Sequence, residues 1–493
     1  MRKTLKVVAF GGGPADAFIK AAGITDSTQQ TAIKTLVNDL NGYGLWSKMK
    51  AIYPMVGGTA TAHSYNLKDT TKFQITWNGG ITHDSNGVLG NGTNGYADTS
   101  LRHGIDFLAT NYGQGHYINN DTNTLGPDFG ANTNTNVSFA RNSGSFYSKG
   151  LESSLSYIII SIPDSKRFYH RYNGSGVSSI FFNSSKQYSG TGISAFDTSA
   201  AYNFLGVSGW AFGNKRFAFS FVSEYLNDTE AANLYTSVQK FQTTLGRYVG
   251  TPIVSDPDAQ AFLNSASITS LTQANAINTL VTDLKGANLW TKMLGIYPLV
   301  GGTASSHKFN LKDPRDLDAA FRLVFGGGWT HDSTGALPNG TNAYADTKLV
   351  GTVDILSSNA GMGIYSGTQG TSAGAFGTGS NYHIFPRYID NNTYYRVFNA
   401  SGASNNNGSS LGLIHGYSNG TNAYAYYNSS SVGSMTVNNS GDSLQNLFFG
   451  RMLGNYDNHQ LRFAFASLYL TNTDASNLYT IIQNYQTILN RQV

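Results

Sequence analysis

The sequence predicts a mainly β protein: two tandem β-sandwiches, each opening with a helical segment and closing with a helix. Three observations carry that expectation. Only 12% of the 493 residues are charged, against about 25% in ordinary globular domains, and 56 Gly, 30 Tyr and 28 Phe stand in their place with abundant Ser, Thr and Asn. Gly, Asn and Ser favour turns, while Tyr, Phe and Thr suit a pleated, half-buried surface. Short apolar or alternating runs are separated throughout by Gly/Asn/Ser-rich loops, the pattern of a sandwich. Finally, the chain repeats itself. "YPMVGGTATAHSYNLKD" (53–69) returns as "YPLVGGTASSHKFNLKD" (297–313) with 12 of 17 positions identical, and further matches join 16–46 to 260–290, 82–99 to 330–347 and 216–236 to 462–480. Solenoid and propeller units run to only about 20–50 residues, so a repeat of about 240 is a whole domain.

The boundaries that follow are an N-terminal arm (1–13), domain one (14–250), a linker (251–256, within "GTPIVSDPD") and domain two (257–493). Each domain is long enough to bury about 70–75% of its unfolded surface. In domain one, Ala32, Ile33, Leu36, Val37 and Leu40 recur at helical spacing, with Thr25 or Ser27 as the cap and Gly42 past the end. A second short helix is expected in "LWSKMKAIYP", stopped by Pro54, and its counterpart by Pro298. Gly57 and Gly58 then allow a turn, and "SYNLKD" is read as the start of extended chain. Strands are expected in "LSYIIISI" (155–162), and as a pair around the turn "DNN" in "YHIFPRYIDNNTYYRVFNA" (382–400), with polar loops at 119–136, 366–380 and 399–410. A strand, "RFAFSF", precedes the closing helix, capped by Asn227 or Asp228, with Leu234, Val238, Phe241 and Leu245 on one face.

At these residues a family resemblance enters. "NGTNGYADT" (91–99), followed much later by the "FAF" strand and "DTEAANLYT" (228–236), resembles the concanavalin A-like, laminin-G-like jelly roll. The helical entry and the block "GLW.KM.AIYP.VGGTA..H..NLKD" resemble virion proteins of bacteriophages infecting Bacteroidota, crAss-like phages included. Domain two carries the fuller form "NLKDPRDLDAAFRL", whereas "NLKDTTKFQITW" in domain one is four residues shorter. The resemblance implies two concanavalin-like jelly rolls and a virion structural or host-attachment protein. It implies no universal ligand.

Net charge is +4 without a Lys/Arg run, which argues against nucleic acid as a partner. Cysteine is absent, so disulfides and thiolate metal sites are excluded. No run approaches the ~18 apolar residues of a membrane span. The apolar core of "MRKTLKVVAFGGG", from Val7 to Phe10, is too short for a secretory signal, so the expected location is a virion assembled in the host cytoplasm. Glycoside hydrolysis needs a carboxylate pair. The chain has three glutamates, Glu152, Glu224 and Glu230, none in domain two, and no enzyme is expected.

His63/His307, His83/His331, Asp84/Asp332 and Asp98/Asp346 recur in both domains. The histidines lie 20 residues apart in one domain and 24 in the other, a spacing read as structural rather than metal-binding. A calcium site on Asp84 or Asp332 was the competing reading of the aspartates; no cofactor is expected. The hairpin at 382–398 offers Tyr388, Tyr394 and Arg396 as candidate glycan contacts, with rings to stack on a sugar and a forked donor. Against this, alternate aromatics also fill sandwich cores. A looser counterpart in domain one is "RFYHRYNGSG" (167–176). In the arm, Val7, Val8 and Phe10 are candidates for anchoring to the sheet edge of a neighbouring virion protein, with Gly11 to Gly13 as a joint. The functional expectation is a non-enzymatic, homo-oligomeric virion fibre, decoration or attachment protein presenting lectin-like domains to host glycans. The alternative is a carbohydrate-binding protein not tied to a particle.

Overall fold

The computed structural model describes residues 12–108, 110–123, 129–131, 137–149, 158–174, 176–191, 201–207, 211–351, 353–372, 376–378, 382–396, 403–405, 408–437, 445–452 and 454–493. Val7, Val8 and Phe10 of the arm lie outside the described residues, as does Glu152. The chain is mainly β and forms two compact units, residues 1–249 and 250–493.

In the first unit, helices Pro14–Ala21 and Ser27–Gly42 lead into strand Met49–Tyr53. Two antiparallel sheets follow. The larger runs Ser185–Thr191, Val177–Phe182, Arg167–Gly174, Asn111–Ile118, Arg216–Ser223, Gly87–Gly90, Ile81–Asp84, with Met49–Tyr53 also paired to Arg216–Ser223. The smaller runs Ile158–Ser161, Ser145–Lys149, Val137–Asn142, Phe129–Ala131, Ala201–Phe204, Tyr96–Arg102, Thr76–Asn78. The second unit repeats this order strand for strand, with Gly412–Ser418, Ala360–Ser366 and Leu461–Ser467 central in its larger sheet. The hairpin strands His383–Phe385 and Thr393–Arg396 lie in its smaller sheet.

The larger sheet is buried on both faces, so its central strands are nearly continuously buried. Toward the helices, Tyr117, Phe168, Tyr172, Phe219 and Phe221 pack against Ile33, Leu36, Leu40, Leu234, Val238 and Phe241. Toward the smaller sheet, Tyr112, Ile118, Tyr169, Ile180 and Phe217 pack with Tyr202, Phe204 and Ala97. The crowding needs glycine at one place: a Cβ on Gly115 would lie 2.5 Å from the Phe221 ring, and one on Gly363 equally close to Phe465.

Several expectations change. "LWSKMKAIYP" is not a helix. Only Trp46–Lys48 makes a 3-10 turn, and Met49–Tyr53 is a strand paired with Ser220–Ser223; Trp290–Lys292 and Met293–Tyr297 repeat this. Partner strands far along the sequence outweigh local helical preference here. The first residue of "SYNLKD", Ser64, ends a short helix, Ala60–Ser64, and the rest of the stretch is irregular. The cap of the second helix is Asp26, accepting from Gln29 N at 2.8 Å, rather than Thr25 or Ser27. The helix runs through Gly42, and Gly44 takes the left-handed conformation. At the closing helix, Asp228–Thr244, Asn227 is the cap and Glu230 returns the bond. Short strands at Phe129–Ala131, Phe376–Gly377 and Ala403–Asn405 lie within stretches read as loops. The stretch 251–256 packs onto the second unit: Val254 N donates to Gln260 Oε1 at 2.8 Å, and Asp256 caps Pro257–Ser265.

"YPMVGGTATAHSYNLKD" recurs because it is a knot of buried hydrogen bonds. Asn66 Oδ1 accepts from Ile52 N and Lys68 N, and its amide donates to Lys50 O and Lys72 O. Asn310 repeats the pattern with Ile296, Lys312, Leu294 and Ala320. Met55 and Leu299 both sit at φ 49°, and their carbonyls accept from a buried arginine, Arg247 or Arg491.

Candidate functional site

The hairpin of the second unit carries the candidate site. Its register pairs His383 with Arg396, Ile384 with Tyr395 and Phe385 with Tyr394. Side chains alternate across a strand, so the residues divide cleanly. Ile384 and Tyr395 are fully buried in the core between the sheets, and Tyr395 Oη donates to Tyr426 O at 3.1 Å. His383, Phe385, Tyr394 and Arg396 share the opposite, outer face. The core-filling reading therefore holds for Tyr395 and fails for Tyr394.

The outer face forms a pocket of about 330 Å³ lined by His383, Phe385, Tyr388, Tyr394, Tyr395 and Arg396. Its floor is Phe385 packed on Met452. Tyr388 meets Phe385 edge-on at 5.2 Å and Tyr394 edge-on at 5.8 Å between ring centroids. The turn holds these rings in place. Tyr388 N donates to Asn392 O at 2.7 Å, Asn391 N to Tyr388 O at 2.9 Å, and Asn391 takes φ 72°. Thr393 Oγ1 donates to Pro386 O at 2.7 Å, and Asn392 N to Asp390 Oδ1 at 3.0 Å. Tyr394 Oη donates to the Asp390 carboxylate, which that bond holds below its ordinary pKa. Arg396 Nε is buried and donates to no partner among the described residues. The structure thus brings Tyr388, Tyr394 and Arg396 together. His383 and Phe385 were missed, although two-residue alternation across the hairpin places them beside Arg396 and Tyr394.

The counterpart proposed in domain one is elsewhere. "RFYHRYNG" is a central strand, Arg167–Gly174, of the larger sheet, with Phe168 through Gly174 buried. The second of its two arginines, Arg171, donates to Ser148 Oγ and Ser178 Oγ inside the sandwich. The strands equivalent to the hairpin are Val137–Asn142 and Ser145–Lys149, where Tyr147 and Lys149 hold the ladder positions of Tyr394 and Arg396.

The recurring histidines do meet. His63 Nδ1 lies 3.1 Å from His83 Nδ1, and His307 Nδ1 lies 2.9 Å from His331 Nδ1. One proton bridges each pair. Burial, then the neighbouring histidine, lowers His63 and His307 to about 3, so both stay neutral at pH 7. Among the described residues no three metal-ligating side chains cluster. The aspartates weighed for calcium are engaged by protein donors: Asp84 takes both oxygens to Arg216 Nη1 at 2.6 Å, and Asp332 Oδ1 accepts from Thr334 and Gly335 N. Glu224 pairs with Lys50 at 2.9 Å and Glu230 with Lys48 at 2.5 Å. Among the described residues no helix is long and apolar enough to cross a membrane.

No family model matches the chain, and no curated protein matches it. Solved structures give distant likenesses. Domain 4 of AbnA, an extracellular GH43 arabinanase from Geobacillus stearothermophilus in complex with arabinotriose, is 14% identical over 38% of this chain and 98% of that one, with a TM-score of 0.30. A Trypanosoma rangeli sialidase mutant with trans-sialidase activity is 9% identical over 44% of this chain and 39% of that one, at 0.31. The binding domain of Paraclostridial Mosquitocidal Protein 1 is 11% identical over 39% and 52%, at 0.28.

Proposed function

We propose that this chain is a non-enzymatic, glycan-binding protein of a bacteriophage particle, each unit a concanavalin-like jelly roll, and that the outer pocket of the second unit is its glycan contact. One observation carries the binding part: three aromatic rings, Phe385, Tyr388 and Tyr394, and the Arg396 side chain converge on one concave surface, and Arg396 Nε has no partner among the described residues. A pyranose lays its apolar face on Tyr388 or Tyr394, and Arg396 supplies the donor for a ring oxygen or carboxylate. Among the described residues, Glu224, Glu230, Asp84 and Asp332 are tied up in ion pairs or turns, which supports a binding role over a catalytic one.

The particle assignment rests on the resemblance of the helical entry and "VGGTA..H..NLKD" block to virion proteins. On that reading, the arm with Val7, Val8 and Phe10 docks on another virion protein, and the assembly is homo-oligomeric. A single weak site, near 1 mM or about 4 kcal/mol, becomes effective through multivalency. The test is a glycan array probed with multimerised protein. Hits that Tyr394→Ala abolishes support the pocket, and hits indifferent to that change exclude it. Mass spectrometry of purified particles tests the particle assignment separately. Glycan hits from a protein missing from every particle would favour the lectin unattached to a virion.

A further inference from the structure

The two units can be compared residue by residue, and the larger difference lies away from the hairpin. Equivalence is fixed by shared hydrogen bonds. Phe168 N donates to Asn183 Oδ1 at 3.0 Å, as Leu413 N does to Asn428 Oδ1 at 2.9 Å. Tyr225 N donates to Asn111 Oδ1 at 2.9 Å, as Tyr469 N does to Asn359 Oδ1 at 2.8 Å. In the ladders, Ser179 stands opposite Tyr172 where Tyr424 stands opposite Tyr417.

In the second unit, Tyr424 packs on Tyr469 with ring centroids 6.1 Å apart, and Tyr426 Oη donates to Asn472 Oδ1. In the first unit Ser179 replaces the Tyr424 ring. The result is an open groove of about 670 Å³ between the sheet and the closing helix, lined by Tyr43, Ser179, Lys186, Tyr225, Asp228 and Asn233 among others. Further replacements act the same way. Tyr43, 45% exposed, ends the second helix where the other unit has Ala287. Phe181 stands where Tyr426 does, and Lys186 bridges to Asp228 at 2.6 Å while lying over the Phe181 ring.

We infer that this groove is a second, independent binding site, specific for neutral oligosaccharides. Tyr225 and Tyr43 offer faces for stacking. Ser179 lines the groove with a hydroxyl and Asn233 with an amide, so sugar hydroxyls find both donors and acceptors. Charge argues against an acidic ligand. Lys186 is committed to Asp228, and the other lining carboxylate, Glu230, is committed to Lys48 and to the helix cap. The pocket of the second unit, with Arg396 in its lining, has the opposite bias. The volume suits two or three sugar rings rather than one.

The inference does not depend on the hairpin pocket, and the test separates them. Full-length protein is probed by saturation-transfer NMR with cellotetraose, mannotriose, chitotriose and, as the acidic probe, sialyllactose. The expected result is transfer to at least one neutral probe. That transfer falls at least fivefold in Ser179→Tyr, which restores the ring found in the second unit, and is unchanged in Tyr394→Ala. Sialyllactose transfer is unaffected by Ser179→Tyr. If Ser179→Tyr does not fold, Tyr43→Ala, at an exposed position, decides by lowering the neutral-probe signal at least threefold. Absence of transfer to all three neutral probes overturns the inference. So does transfer that survives the groove variant, or a neutral-probe signal lost in Tyr394→Ala.

Discussion

Replacing Arg247 with methionine keeps much of the side-chain volume and removes the cation. Its guanidinium lies buried at the end of the closing helix and makes five hydrogen bonds: Nη1 to Met55 O and Ser85 O, Nη2 to Pro54 O and Ala218 O, and Nε to Gln242 Oε1. Burial lowers its pKa to about 9 against the opposing pull of Tyr117 and Asp84, and carbonyl oxygens accept four of its five hydrogen bonds. In Arg247→Met, Ala218 O keeps the Gln242 amide at 3.1 Å, and Ser85 lies near solvent. Pro54 O, Met55 O and Gln242 Oε1 lose their donor while buried. At roughly 1–3 kcal/mol for each orphaned acceptor, offset by relief of the buried charge, the net loss is about 3 kcal/mol. For a domain of this size that lowers Tm by about 6–12 °C. Scanning calorimetry of the full chain measures the shift, and hydrogen exchange assigns it, because protection should fall at Met55 and Ala218 and hold in residues 250–493. Arg247→Lys should recover less than half, since an ammonium cannot reproduce the fork. Arg491→Met should mirror the result in the second unit, where Leu299 O, Pro298 O, Arg462 O and Gln486 Oε1 are the acceptors. A Tm shift under about 2 °C for both variants would refute the view that these arginines hold the turn after the first strand.

Buried neutral histidines predict acid lability: His63, His170 and His307 are lowered to about 3 and His415 to about 4, by burial first. Their folded pKa values lie below the unfolded ~6.5, so stability is complete above that pH and falls on acidification toward 3–4. The slope approaches about 1.4 kcal/mol per pH unit for each histidine; a urea midpoint unchanged between pH 6.5 and 4.5 contradicts this. His459, raised by its bond to Asp457 despite burial, has the opposite sign and loses its contribution as pH rises through its folded value. Asn310→Ala orphans four backbone groups and should cost about 3 kcal/mol, read as a lower urea midpoint with unchanged m-value. Deleting residues 2–10 should leave Tm unchanged and abolish incorporation into particles; normal incorporation rules out the anchor, and a large fall in Tm places the arm in the fold.

How much of this was legible depended on the range of the forces involved. The helix faces through Ile33, Leu36 and Leu40 and through Leu234, Val238 and Phe241 read directly, because a 3.6-residue period is local. Strand Met49–Tyr53 did not: nothing within "LWSKMKAIYP" records that Ser220–Ser223 will pair with it. The forward bonding of the linker stretch was hidden for a related reason. Pro252 and Pro257 look like punctuation, but Val254 and Asp256 bond forward into the next helix. The histidine contacts join residues whose spacing differs between the domains, so spacing alone argued against them. Recurrence in both repeats was the available signal, and it also marks Arg247 and Arg491, each directly after the "Leu-Gly" or "Leu-Asn" that follows the closing helix.

An internal repeat also separates fold from function in a way a single domain cannot. Asn66 and Asn310, Arg247 and Arg491, Gly115 and Gly363, and the paired histidines occupy the same roles twice, and each role is a buried hydrogen bond or a close ring contact. Such residues are retained because both copies must fold. The surfaces that differ are free of that constraint. At the hairpin, Tyr394 and Arg396 occupy the positions that Tyr147 and Lys149 hold in the other copy; at the groove, Tyr424 stands where the other copy has Ser179, and Ala287 where it has Tyr43. Among the described residues, each unit thus presents a concave aromatic surface where its twin has different side chains. Binding specificity is therefore to be sought where the two copies disagree, and the opening block "YPMVGGTATAHSYNLKD", where they agree most, is the place least suited to a ligand.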